Sequence, residues 1–362
     1  MANTTTFQSY LTAPVNYVLM KGLLQAIRKK CPYFNGTLPG ELVKNGGSSS
    51  VKWERINNLT AVTTSLGEVA TSSFLFGRSL VTPTYSVVTA TAAKYGNAIQ
   101  PTEEIDLFNV NTRAVKLLDT LGANAAESLN TLIKNQAYDG ATIARYSIGA
   151  AGGAGTSSKS YVTSKMAAVD IQYATNQLNE NAAMPFTPLA TGSKNIGTVP
   201  VRVSYYGICH VDVEEDIRGI SGFIPVEQYG GYTETMPFEF GAANGVRWCS
   251  TQIATINKSA GKKTASGYRG SSTTANDVYT SYVYGRESVG TVGLGNMHAD
   301  NAYEMYNPKN PPAVEIIYKP AGSAGAGDPY NEVASLAWKT WFVSTVLNTG
   351  WIVKIFTLAS KL

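Results

Sequence analysis

Residues 314–360 read VEIIYKPAGSAGAGDPYNEVASLAWKTWFVSTVLNTGWIVKIFTLAS. Val314 to Tyr318 and Ala334 to Leu347 are rich in β-branched and aromatic residues, which suit a pleated, half-buried surface, and both are expected to be strands. Asn348-Thr349-Gly350 has turn chemistry, and Trp351 to Phe356 makes a third strand. Between the first two strands, Gly322, Gly325 and Gly327 stand among Ala321, Ser323, Ala324 and Ala326. No Lys-Ser or Lys-Thr pair follows, so this loop lacks the ammonium and hydroxyl with which a phosphate-cradling loop holds a nucleotide. The stretch ties itself into a sheet and carries no nucleotide chemistry.

Lys319-Pro320, Gly322-Ser323-Ala324-Gly325, Asp328-Pro329 and Trp338-Lys339 give this region a second reading. It resembles the C-terminal part of the major capsid proteins of tailed double-stranded DNA phages, in the podophage-type branch. There a loop of the form Lys-Pro-x-Gly-Ser-Ala-Gly-x-x-Asp-Pro precedes a tryptophan strand and a closing strand. The resemblance implies an α+β chain with the Hong-Kong-97-type phage capsid fold. Its parts would be an N-terminal arm, an extended β-hairpin loop (E-loop), a peripheral (P) domain with a long spine helix, and an axial (A) domain.

Upstream, the order of elements agrees with that expectation. Residues 1–45 form the arm, polar and Thr-rich at first, then a short amphipathic helix through Tyr17, Val18, Leu23, Leu24 and Ile27 that stops at Cys31-Pro32. Residues 46–98 form the E-loop. Ser50 to Ile56 alternates as a strand, Thr84 to Tyr95 returns as another, and polar, weakly patterned sequence lies between. Two arms of about twenty residues at roughly 3.3 Å per residue reach on the order of 60 Å, too far for one small domain to bury. The strongest helix follows at about 112–137, with Leu118, Leu121, Ala125, Leu129, Leu132 and Gln136 in one stripe. Asn109, Asn111 and Thr112 offer capping oxygens, and Gly140 a stop. A long extended hairpin followed at once by a long helix resembles the E-loop and spine helix of the capsid fold, so the P domain is assigned to 99–180 and 305–362, with the A domain at 181–304.

Within the A domain, Met166 to Asn181 just upstream reads as a helix, Val201 to His210 as a strand, and Asp212 to Arg218 as a short helix. Asp212 is expected as its N-cap, with Glu215 at capping-box spacing. His210-Val211-Asp212 resembles the family's His-Pro-Asp but departs from it at the middle position. Phe240 to Trp248 and Tyr282 to Gly290 are also similar to family segments. Lys258 to Asn276, basic and rich in Ser, Thr and Gly, is expected to be an exposed loop.

Composition bounds the classes of function. The chain has 362 residues, of which 15% are charged, against about 25% in an average soluble protein. Such a surface suits neighbours better than bulk water. No acidic residue precedes Glu41, whereas Lys21, Arg28, Lys29 and Lys30 do, so the arm is locally basic and can face DNA through weak, salt-sensitive contacts. Cys31, Cys209 and Cys249 are odd in number and widely spaced, which supports neither a disulfide framework nor a zinc site and fits cytoplasmic synthesis. No signal-peptide pattern and no long apolar run appears, so neither export nor a membrane span is expected.

The one tempting constellation is Cys209-His210 with Asp212, Glu214, Glu215 and Asp216. Neighbours on a strand point to opposite faces, so Cys209 and His210 cannot converge on one reaction centre. Ser49-Ser50-Val51-Lys52 and Ala260 to Thr264 match fragments of catalytic or phosphate motifs without their companions. No catalytic residue, metal ligand or cofactor is assigned.

The resemblance implies a structural protein that self-assembles into pentamers and hexamers of an icosahedral head around double-stranded DNA. Its place would be the virion, after assembly in the bacterial host cytoplasm. Intersubunit contacts are expected at Trp53, Arg55, Leu66, Glu68, Phe74, Phe76 and Arg78 of the E-loop, and at Lys319, Gly322, Gly325 and Asp328 of the C-terminal loop. The expected partners are further copies of the chain, the packaged DNA, a portal protein, a separate scaffolding protein, and a decoration or minor capsid protein. Between Trp53 and Gly77 there is no lysine, so a lysine-to-asparagine crosslink from the E-loop is not expected. Two alternatives stay open: an encapsulin-like shell with an enzyme cargo, and a soluble β-rich enzyme or carbohydrate-binding protein.

Overall fold

The computed structural model describes residues 32–34, 36–40, 49–56, 59–61, 63, 82–102, 113–148, 158–186, 204–229, 238–263, 267–270, 272–294, 315–319, 330 and 332–361. In chain order the strands and helices are β1 (Leu38–Pro39), β2 (Ser50–Ile56), β3 (Tyr85–Thr91), β4 (Ala93–Ile99), α1 (Arg113–Gln136), β5 (Ile143–Tyr146), α2 (Ala168–Glu180), β6 (Tyr205–His210), α3 (Val211–Arg218), β7 (Ile224–Pro225), β8 (Glu239–Ala243), β9 (Val246–Thr251), β10 (Ile256–Lys262), β11 (Ala275–Tyr284), β12 (Val289–Leu294), β13 (Glu315–Lys319), β14 (Ser335–Val346) and β15 (Ile352–Thr357). Among the described residues they form a five-stranded sheet, an eight-stranded sheet and a two-stranded ribbon.

The five-stranded sheet is organised on β14, the tryptophan strand of the sequence. β13 pairs with its first half (Ile316 opposite Trp338) and β12 with its second (Val292 opposite Val343), while β4 runs along the remaining edge (Asn97 opposite Trp338). Its alternation has a plain cause: Leu336, Trp338, Thr340 and Phe342 are buried on one face, and Ala337, Lys339 and Trp341 are half-buried on the other. α1 covers the buried face with Leu121, Ala125, Leu129, Ile133 and Ala137, each of the larger ones contributing about 1.5–3 kcal/mol by burial. At 24 residues and about 1.5 Å per residue the helix is roughly 36 Å long. Side-chain amides fix it at two levels. Asn124 Oδ1 accepts from Trp338 Nε1 and from Asn97 Nδ2, both at 3.2 Å. Gln136 Oε1 accepts from Ser344 N at 2.9 Å, and Gln136 Nε2 donates to Tyr95 Oη at 3.1 Å.

The eight-stranded sheet runs β5-β15-β11-β6-β9-β8-β7, with β10 also on β11. β15 is parallel to β5 and antiparallel to β11; β6 is parallel to β9. Ile171, Ala174 and Leu178 of α2, with Val213 and Ile217 of α3, bury against Cys209, Trp248, Val283, Val353 and Ile355. The chain passes between the two sheets three times, from β4 through α1 to β5, from β11 to β12 and from β14 to β15. At that junction Tyr33, Tyr138, Tyr282 and Tyr284 pack edge to face at centroid distances of 5.1–6.1 Å, with Phe186 stacked on Tyr206 at 4.1 Å. Tyr282 donates to Asp139 Oδ1, and Tyr138 Oη donates to the Tyr33 carbonyl at 3.3 Å.

Several sequence expectations change here. The single strand expected over Thr84 to Tyr95 is two strands: β3 pairs with β2 and β4 with β14, and the break falls at buried Ala92. The segment expected as an exposed loop, Lys258 to Asn276, is largely a hairpin. β10 pairs with β11 from Ile256 opposite Tyr279 to Lys262 opposite Ala275, and residues 267–270 return to pair with the last residues through Tyr268 and Ser360. Its small, polar composition hides a strand whose side chains meet little core. The cap of α3 is His210 rather than Asp212: Nδ1 of the ring accepts from Asp212 N at 3.0 Å. Strand pairing also cuts across the expected grouping of 305–362, since β15 hydrogen-bonds with β11 and β5 and not with β14, while β12, inside 181–304, pairs with β14. The stop expected at Gly140 falls three residues after a 3-10 turn begins, the helix itself ending at Gln136. The expected caps Asn109, Asn111 and Thr112, and the side chain of Leu118, lie outside the described residues.

Candidate intersubunit surface

The β2–β3 ribbon has one face on the subunit and one face that is uncovered among the described residues. Residues opposite each other in an antiparallel pair share a face, and the register sets Val51 against Ala90, Trp53 against Val88, Glu54 against Val87 and Ile56 against Tyr85. Val51, Trp53 and Ala90 therefore turn inward, where they meet Ala92, Val292, Trp341 and Val343. The Trp53 ring fills the space left by two glycines: a Cβ at Gly40 would stand 2.8 Å from it, and one at Gly290 2.9 Å. The opposite face carries Lys52, Glu54, Ile56, Tyr85, Val87 and Thr89, all exposed. Its outer half is apolar, with Ile56 at 63%, Tyr85 at 60% and Val87 at 50% exposure, and Leu59 just beyond at 58%.

A two-stranded ribbon is marginal in water without a surface to cover one of its faces. Here the root is covered by the subunit itself, and the outer end presents three adjoining apolar side chains to solvent. Closing that end against another surface would gain about 1.5–3 kcal/mol for each large side chain buried. The arrangement is chemically suited to association.

The expected contact residues divide accordingly. Trp53 is half-buried, its ring packed on its own sheet, and so anchors the root of the ribbon. Arg55 is exposed at the outer end, opposite Ser86. Lys319 is exposed at the end of β13, next to Tyr318 at 37% exposure. Leu66, Glu68, Phe74, Phe76 and Arg78, then Gly322, Gly325 and Asp328, and Lys21, Arg28, Lys29 and Lys30 lie outside the described residues. Ile56, Tyr85 and Val87 were not singled out by sequence reasoning. Their signal was a face on which charged Lys52 and Glu54 share alternation with Ile56, a pattern belonging neither to a core nor to an ordinary solvated face.

The thiol and imidazole of β6 do not meet. Cys209 is fully buried, with Sγ 3.7 Å from the Cys249 carbonyl, and burial pushes its thiol well above the usual range. His210 turns to the other side, its ring 5.3 Å from that of Tyr279, and burial lowers its pKa while Asp212 opposes that shift. Asp212 itself accepts from Tyr279 Oη at 2.9 Å and pairs with Arg269 at 2.9 Å. These contacts fasten α3 to β11. Among the described residues there is no cluster of three or more His, Cys, Asp or Glu side chains that could hold a metal ion, and no helix is long and apolar enough to cross a membrane.

No family model matches the sequence, and no curated protein sequence matches it. Solved structures do. The capsid of Ralstonia phage GP4 superposes with a TM-score of 0.59 at 11% identity, over 92% of this chain and 92% of that one. The capsid structure of the Cyanophage P-SCSP1u gives 0.53 at 11% identity over 91% and 89%. The chain has the fold of phage capsid structures. The head structure of Helicobacter pylori bacteriophage KHP40 adds a third likeness, at a TM-score of 0.52 and 12% identity over 91% of each chain. Coverage near nine-tenths on both sides means that this α+β capsid fold accounts for most of the chain.

Proposed function

We propose that the chain is the major capsid protein of a tailed double-stranded DNA phage, assembling as pentamers and hexamers into an icosahedral head. The observation that carries this reading is the outer half of the β2–β3 ribbon, where Ile56, Tyr85 and Val87 are exposed with no cover among the described residues, on a chain with the capsid fold. In this reading the ribbon is the root of the E-loop and clasps a neighbouring copy. α1 is the spine helix on the five-stranded sheet of the P domain, and the eight-stranded sheet is the body of the A domain, with β15 belonging to it. The protein works by association and makes or breaks no bond. Many modest contacts acting together in a closed ring hold the shell.

The remaining partners follow from the same reading. They are packaged DNA lying on basic segments, a portal protein, a separate scaffolding protein, and decoration or minor capsid proteins, with assembly in the bacterial cytoplasm and residence in the virion. Electron microscopy of the purified protein is the direct test. Closed icosahedral shells are expected, and a species that stays monomeric or dimeric under all assembly conditions overturns the proposal. Nuclease-protected DNA inside shells recovered from infected cells distinguishes a phage head from a shell built around an enzyme cargo.

A further inference from the structure

From Thr251 to Asn276 the sequence holds Lys258, Lys262, Lys263 and Arg269 and no Asp or Glu. The fold brings part of this basic run against the end of the chain. Residues 267–270 pair with it through Arg269 N to the Ala359 carbonyl at 2.9 Å and Lys361 N to the Gly267 carbonyl at 2.7 Å. An open cleft of about 650 Å³ results, lined among the described residues by Lys263, Gly267, Tyr268, Arg269, Gly270, Asp277, Tyr279 and Lys361. Lys263 and Lys361 are exposed. Arg269 Nη1 pairs with Asp212, yet its buried Nε has no hydrogen-bond partner among the described residues. The one carboxylate in the lining, Asp277, is engaged by Ser259 N at 2.7 Å.

We infer that this cleft binds the phosphate backbone of a nucleic acid. Three cations from separate parts of the chain, Lys263, Arg269 and Lys361, converge on it with Tyr268 and two glycines that let a backbone approach. No aliphatic side chain is among the described lining residues. A polyphosphate backbone needs only charge and donors, which the exposed Lys263 and Lys361 and the unpartnered Arg269 Nε supply, and an acidic peptide drawn by the same cations is the competing outcome of the test. The cleft lies on the eight-stranded sheet, away from the β2–β3 ribbon, so it is independent of the contacts proposed for assembly.

The test uses the full-length, unassembled chain and a short fluorescein-labelled DNA duplex, with binding followed by anisotropy from about 50 to 200 mM salt. Each phosphate neutralised contributes about 0.9 to the slope of log K against log salt, so Lys263→Gln with Lys361→Gln is expected to lower that slope by about 1.8. Lys52→Gln with Lys319→Gln removes the same charge elsewhere and is expected to leave the slope as it was. Lys361→Gln alone, at an exposed position whose contact with Gly267 is made by the backbone, is expected to lower the slope by about 0.9. An unchanged slope in both cleft variants overturns the inference, as does polyglutamate competing as well as duplex at equal charge. Neither result bears on shell formation, which is scored separately by microscopy.

Discussion

Trp53 and His210 show how a side chain's partners, more than its type, set what it does. Trp53 is half-buried between Gly40 and Gly290, and replacing it with Ala empties that space. Loss of a fully buried Trp costs about 3–5 kcal/mol, so Trp53→Ala is expected to cost about 2 kcal/mol in a denaturant titration of the isolated subunit. His210 accepts from Asp212 N only while Nδ1 is unprotonated. Desolvation holds its folded pKa below the ordinary 6.5, against the pull of Asp212 and with the help of Arg269. The unfolded chain therefore binds the proton more readily, and the His210 contribution is complete above pH 6.5 and is lost as the pH falls through the folded value. Melting temperatures measured from pH 7.5 downward are expected to fall more steeply in the wild type than in His210→Asn, which keeps a capping oxygen and does not titrate. Parallel curves would show that the cap carries no pH dependence.

In the proposed assembly the ribbon is the element that makes the contact. Its inner face is part of the subunit's core and its outer face is not, so substitutions on the two faces are expected to separate stability from association. Ile56→Ser, Tyr85→Ser and Val87→Ser together should shift the subunit's unfolding midpoint little, since exposed positions are usually worth within about 0.5 kcal/mol each. The same triple change should leave free capsomers or subunits where the wild type closes shells, as read by sedimentation. Heat-resistant shells from the triple variant would remove the ribbon from the assembly contact. α1 is the complementary case, a helix fixed inside its own subunit through Asn124 and Gln136.

Across the whole molecule, two sheets share one chain through three crossings and a tyrosine-lined junction, so they are expected to unfold together. The shell built from such subunits is expected to hold without covalent links. With no lysine from Trp53 to Gly77, boiled and denatured particles should run as a single band near 38.6 kDa. A ladder of multimers would show a crosslink supplied from elsewhere in the chain.

Periodicity alone determined the strands and the helix most strongly patterned here. β2, α1, α2, β6, β14 and β15 lie within a few residues of their expected bounds, because alternation and a 3.6-residue stripe are local consequences of which face is buried. The order of the extended hairpin, long helix and tryptophan strand was also enough to point to the capsid fold. Partnership was not local. That β14 and β15, separated only by residues 347–351, belong to different sheets is decided by what each finds opposite it. So are the buried pairs of Arg145 with Asp170 and Arg247 with Glu239, whose members show no special spacing. Among the proposed contact residues, Trp53 was legible as important but its packing within the subunit was not, since alternation assigns it to a face without saying which face meets its own sheet. Ile56, Tyr85 and Val87 became visible only in three dimensions, because an apolar side chain without cover differs from one in a core solely by what the rest of the chain fails to place over it.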